Sequence, residues 1–258
     1  MNNNRQNFRS QKTSVPKSRL IIGRKPLIEA LKEAADIEKI FILKSATGEE
    51  LGVIKNLARS LEITLSYVPS EKLDKFTQAN HQGVVAIAGL IKYQPLQGIN
   101  DQVVDKGEVP LLVLLDGITD TRNLGAIARS AYSFGAHAIV VPNSNNAAIT
   151  EEGIKTSAGA LEKLPVCRVT SVQQAIDTLK LNGIQIVATT LETSRDLSEA
   201  PLHEPIAIVM GAEDTGVSPY VLKTADHLVK IPMSGGFDSL NVSVATGIML
   251  YQTHIQRK

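Results

Sequence analysis

The chain has 258 residues, 43% of them apolar and 21% charged, with a formal net charge of +1. That balance is ordinary for one large globular domain or two smaller ones, and no apolar run reaches the roughly 18 residues that a membrane-spanning helix needs. A single cysteine, Cys167, excludes an internal disulfide, no Cys/His spacing suggests a metal, and no signal-peptide core is visible, so a reducing cytoplasm is the simplest compartment.

Residues 1–25 carry Arg5, Arg9, Lys12, Lys17, Arg19, Arg24 and Lys25 and no acid. With Asn, Gln and Ser filling most of the rest, residues 1–17 read as a disordered basic arm, suited to nucleic-acid phosphates or idle as a solubilising tail. From 18 to 92 the pattern predicts a small α/β unit. "PLIEALKEA" and "GEELGVIKNLARSL" have helical apolar spacing, and "KIFIL", "ITLSYV" and "GVVAIAGL" read as strands. Ser70 is the expected cap of a short helix. Segment 93–109, polar and broken by Pro and Gly, reads as a linker. From 110 to 258 strands are expected at 111–116, 138–142, 166–169, 184–189, 206–210 and 228–232. Helices are expected at 123–134, 171–181, near 218–223 and at 241–255, with a small-residue segment at 147–160. Such alternation implies a mostly parallel sheet with helices on both faces, and ligands beyond the carboxyl ends of its strands.

Three loops at strand ends hold the candidate chemistry. In "LLDGITDTRNLGAIARSAYSFGA", Asn123 would cap the following helix if it stands at its start. Arg129, six residues on, projects from a small, apolar helix and needs a carboxylate, a phosphate or a carbonyl rim; a structural ion pair is the plain alternative. In "IAIVMGAEDTGVSPYVL" an apolar strand ends at Gly211, where small residues let a ligand approach the backbone. Glu213 is placed to meet Arg129 or a sugar hydroxyl, or to sit solvated on an ordinary turn. In "SGGFDSLNVSVATGIMLY", Ser239 and Asn241 can cap a helix that is apolar nearly all round and therefore asks for cover, which a dimer interface could give. No phosphate-binding glycine loop, nucleophile elbow or "HEXXH" occurs, and His81, His137, His203, His227 and His254 are scattered.

"NLGAIARSA", "VMGAEDTGVS" and "IPMSGGFDSLNVSVATGIMLYQ" together resemble the three motifs of the SpoU (TrmH-type) RNA ribose 2′-O-methyltransferases of the SPOUT superfamily. "IIGRKPLIEALK", "KIFILK" and "HQGVVAIA" resemble that family's accessory domain. The resemblance implies an α/β fold with a deep trefoil knot, a ribosomal-protein-like RNA-binding domain at 18–92, a homodimer formed through the C-terminal domain, and S-adenosyl-L-methionine as methyl donor without any metal. By motif position it assigns Asn123, Arg129, Glu213, Ser239 and Asn241 to catalysis and Gly211, Ile231 and Leu240 to the donor, while Asp238 and Ser243 receive no role. Arg129 matches the arginine implicated in activating the ribose hydroxyl, either by giving up a proton itself or by positioning an RNA phosphate. The "SLNVSVATGI" and "HQGVVA" stretches look most like members acting on a guanosine of 23S rRNA. A tRNA ribose methyltransferase is the runner-up, and a non-catalytic RNA-binding protein of the same fold is the reading from another class.

Overall fold

A computed structural model of the chain describes residues 15–235 and 239–258; most of the expected basic arm, and Asp238, lie outside them. The described chain forms two compact units, one ending at Gly89 and one beginning at Leu90.

The first unit runs β1 (Leu20–Ile22), α1 (Arg24–Lys32), β2 (Ile37–Leu43), α2 (Glu49–Ser60), β3 (Leu65–Val68), α3 (Ser70–Asp74) and β4 (Val84–Ala88). Its sheet has the order β1-β4-β2-β3, with β2 and β3 parallel and the other pairs antiparallel. Strand alternation separates two small cores. Ile40, Ile42, Val84 and Ala86 pack with Leu27 and Leu31 of α1 and Leu51 and Ile54 of α2. Phe41 and Val85 point the other way and pack with Leu73 of α3. Ser70 is not the cap of α3. Pro69 holds that position in an extended conformation, Ser70 lies inside the first turn, and no side chain caps the helix.

The second unit begins with β5 (Tyr93–Gln94) and α4 (Leu96–Asp105), so the segment expected to be a linker is folded. Pro95 stands at the helix entrance, where its missing N–H costs nothing. Leu96, Ile99 and Val103 are buried from one face of α4 at helical spacing, which outweighs Gly98 in the first turn. Then follow β6 (Leu111–Asp116), α5 (Thr121–Ser133), β7 (Ala138–Pro142), α6 (Glu151–Thr156), α7 (Ala160–Lys163), β8 (Val166–Val169), α8 (Val172–Leu181), β9 (Gln185–Thr189), β10 (Ile206–Gly211), α9 (Pro219–Thr224), β11 (His227–Val229) and α10 (Val242–Gln256).

Seven strands form one sheet in the order β11-β9-β10-β6-β7-β8-β5, and every pairing is parallel. Both faces are covered, which is why "LLVLL" and "IAIVM" are apolar without alternation. Leu111, Val113 and Leu115 enter a core with Leu124 and Ile127 of α5, Leu161 of α7 and Met249 and Leu250 of α10. Leu112 and Leu114 enter the opposite core with Ile99 of α4, Ile176 and Leu179 of α8, and Val221 of α9. Burying one such leucine contributes about 1.5–3 kcal/mol. Helices α5 and α6 meet at two glycines: a side chain on Gly125 would collide with the Gly153 carbonyl oxygen. Because all seven strands point one way, their carboxyl ends lie along a single edge, and there the three candidate loops emerge.

Candidate active site

The first loop leaves β6 at Asp116, whose carboxylate accepts from the Ser218 N–H at 2.6 Å and so ties it to the loop after β10. Asp120, not Asn123, caps α5, accepting from the Arg122 N–H at 2.7 Å. The Arg122 side chain also bonds Asp120, which holds that carboxyl below the usual carboxylate range. Asn123 therefore sits in the first turn with its amide free to reach outward.

The second loop leaves β10 at Gly211. Ala212 and Gly216 exchange backbone hydrogen bonds of 3.0 and 2.9 Å, folding residues 212–216 into a tight turn. Gly211 lies directly against that turn: a Cβ there would overlap the backbone of Gly216 and Val217. The close approach that the small residue permits is thus to the chain's own loop. This turn presents Glu213. The third loop follows β11 and ends at α10, which Asn241 caps by accepting from the Ser243 N–H at 3.0 Å.

The three loops meet in a closed triangle of side chains. The Asn123 amide donates to Glu213 Oε1 at 3.1 Å. The Asn241 amide donates to Glu213 Oε1 at 2.6 Å and to Asn123 Oδ1 at 3.1 Å. Two amides thus converge on one carboxylate oxygen and fix its rotamer, while Glu213 Oε2 keeps its acceptor capacity for a substrate. Ser243, which carries no role by motif, joins the group: its hydroxyl donates to Asn241 Oδ1 at 2.6 Å.

Beside the triangle lies a cavity of about 430 Å³ between the loops after β9, β10 and β11 and the start of α10. Met210, Ile231, Leu240 and Val242 give it apolar walls, and Thr190, Thr215, Glu192 and Asp214 give it hydroxyls and carboxylates. Lys230 adds an ammonium group to the same wall, and the volume lies within the range of small-molecule sites.

Of the residues expected from sequence, Gly211, Glu213, Ile231, Ser239 and Leu240 line this cavity. Asn123 and Asn241 complete the triangle at Glu213. Ser239 is exposed and has no bond to the triangle among the described residues. Arg129 neither lines the cavity nor meets Glu213. It is exposed on α5, and its guanidinium has no hydrogen-bond or ion-pair partner among the described residues. Sequence reasoning missed Ser243 and the loop Thr189–Glu192. The first had a signal, a hydroxyl two residues beyond a capping asparagine; the second had none, since its residues follow no pattern.

Residues 110–251 match the SpoU rRNA Methylase family, and residues 20–94 match the family described as RNA 2'-O ribose methyltransferase substrate binding. The chain is 38% identical over 225 residues to a 23S rRNA (guanosine-2'-O-)-methyltransferase of Photobacterium profundum, covering 85% of this chain and 90% of that protein. It is 35% identical over 237 residues to a Bacillus subtilis protein named for the TrmH family of tRNA/rRNA methyltransferases, covering 92% of this chain and 95% of that one. Among solved structures, an AdoMet-bound rRNA methyltransferase of Sinorhizobium meliloti is similar at a TM-score of 0.57 and 26% identity, over 93% of this chain and 88% of that chain.

Proposed function

The chain belongs to the SpoU rRNA methylase family, and from that premise we propose that its substrate is the ribose 2′-hydroxyl of a guanosine in 23S ribosomal RNA. The reaction class is the family's: methyl transfer to an RNA ribose, with S-adenosylmethionine as donor. The observation that carries the reading is the triangle of Glu213, Asn123 and Asn241 at a cavity of cofactor size. Bound there, the donor supplies an electrophilic methyl group on a sulfonium centre. Ile231, Leu240 and Val242 would hold its ring, and the Glu192 and Asp214 carboxylates would favour its positive charge.

The remaining tasks fall to side chains. Alignment of the hydroxyl with the methyl group dominates such a transfer. Glu213, clamped through one oxygen, offers the other to a ribose hydroxyl. Ser239, on the cavity wall, offers a further hydroxyl there. Arg129 is solvent-exposed, and a guanidinium offers five donors in a planar fork and no acceptor. Positioning an RNA phosphate beside the reacting hydroxyl therefore suits it better than acting as a base.

Three further features belong to this reading. The unit ending at Gly89 is the RNA-binding module. A knotted chain end is part of the reading, and its support is the family match over residues 110–251. The functional form is a homodimer through α10, whose outer face bears Val244, Ile248, Tyr251 and Ile255, all exposed. The second reading is a tRNA substrate, which the name of the Bacillus relative gives beside rRNA. Mapping ribose methylation on total RNA from a deletion strain separates the two: the missing methyl group is expected on a 23S guanosine, and its loss from tRNA instead would overturn the assignment. In the purified enzyme, Arg129→Ala should keep its thermal midpoint and lose about 10²–10³-fold in kcat, the scale of one lost charge-stabilising group. Wild-type turnover in that folded variant would end its role.

A further inference from the structure

We infer that Ser243 is a positioning residue for this site, an inference that rests on the methyl-transfer reading above. Asn241 uses its whole hydrogen-bonding capacity. Its Nδ2 donates to Asn123 Oδ1 and Glu213 Oε1, and its Oδ1 accepts from the N–H and the hydroxyl of Ser243. The direction of the amide matters. Rotated by half a turn, Asn241 would set its oxygen against the Glu213 carboxylate and the Asn123 oxygen, three acceptors facing one another with no proton between them. The Ser243 N–H can only donate, so it marks the Oδ1 side. The hydroxyl adds a second bond of 2.6 Å to the same oxygen and restricts the torsion. An amide oxygen that accepts two bonds also polarises its own N–H groups, which strengthens the two bonds that aim the carboxylate. Ser243 thus acts on Glu213 through Asn241 without touching a substrate.

Helix capping and amide positioning separate cleanly here. The capping bond uses the backbone N–H of residue 243, which any non-proline residue supplies. Ser243→Ala should therefore leave the thermal midpoint and the dissociation constant for S-adenosylmethionine unchanged. It should lower kcat by about tenfold, the equivalent of one hydrogen bond, with KM for RNA unaltered. Ser243→Thr and Ser243→Val have one shape and differ in the hydroxyl: the threonine variant should restore turnover and the valine variant should not. A valine variant as active as the threonine one overturns the inference, and so does a fully active alanine variant. Side-chain amide exchange of Asn241, followed by NMR, reads the same contact without any turnover. Faster exchange in Ser243→Ala than in wild type is expected, and an unchanged rate overturns the positioning role. If the wild-type enzyme transfers no methyl group to RNA, the methyl-transfer reading falls, while the exchange measurement still decides what Ser243 does to Asn241.

Discussion

His227 lies between a guanidinium and an amide. Arg195 Nη1 is 2.8 Å from its Nδ1, and Gln185 Oε1 is 2.6 Å from its Nε2. Arginine can only donate, so Nδ1 is the acceptor and the proton sits on Nε2: the ring is neutral. Burial, then the Arg195 charge, push its pKa below the ordinary histidine value, against the pull of Asp226. In the window below about pH 6.5 the native state thus binds fewer protons than the unfolded chain. The stability from this contact is whole above that window and is lost as pH falls through it. The thermal midpoint should drop more for wild type than for His227→Gln between about pH 7.5 and pH 5; equal drops would show that the ring is not held neutral. Asn123, Glu213 and Asn241 were legible as candidates because motif chemistry is local, and Arg129, picked out with them, lies apart from their triangle. Their partners were not legible. Asn123 and Glu213 are 90 residues apart, and Asn241 and Asn123 are 118 apart, so no window of sequence contains either bond.

The turn after β10 shows how an element aims a side chain. Its geometry depends on Gly211, where even a methyl group would run into Gly216 and Val217. Gly211→Ala should push the turn outward, carry Glu213 away from both asparagines, and cost about 1–3 kcal/mol in stability. A displacement near 1 Å at the reacting groups would lower kcat/KM by about 10²-fold. Calorimetry and methyl-transfer rates check the two together, and an active variant with wild-type stability would refute the packing argument. Strands β6 and β10 were readable because burial on both faces leaves unbroken apolar runs. Helix α4 was not, because Pro95 and Gly98 look like breakers and only the spacing of Leu96, Ile99 and Val103 contradicts them. Asp120 was passed over for a similar reason: several polar residues precede α5, and only backbone geometry shows which one caps it.

At the scale of the molecule, α10 is buried on one side and bare on the other. Val242, Met249 and Leu250 enter the core, while Val244, Ile248, Tyr251 and Ile255 remain 36–53% exposed along the opposite face. A continuous apolar stripe of this kind is expected to meet its own copy across a two-fold axis. In light scattering at micromolar concentration the wild type is expected to be the proposed dimer and Ile248→Asp a folded monomer; a monomeric wild type overturns the dimer, and a dimeric variant places the interface elsewhere. The order of the sheet has a consequence for how the molecule is made. Val113 of β6 pairs with Ile139 of β7, which follows it closely in the chain, but also with Ile208 of β10, which is far downstream. Pairing so distant must first meet the entropy of closing a long loop, and it comes slowly. The cavity belongs to that late half, with β9, β10 and β11. A chain halted partway through folding holds a partial sheet and lacks the cavity proposed for the donor, so turnover would count only those copies that have folded to the end.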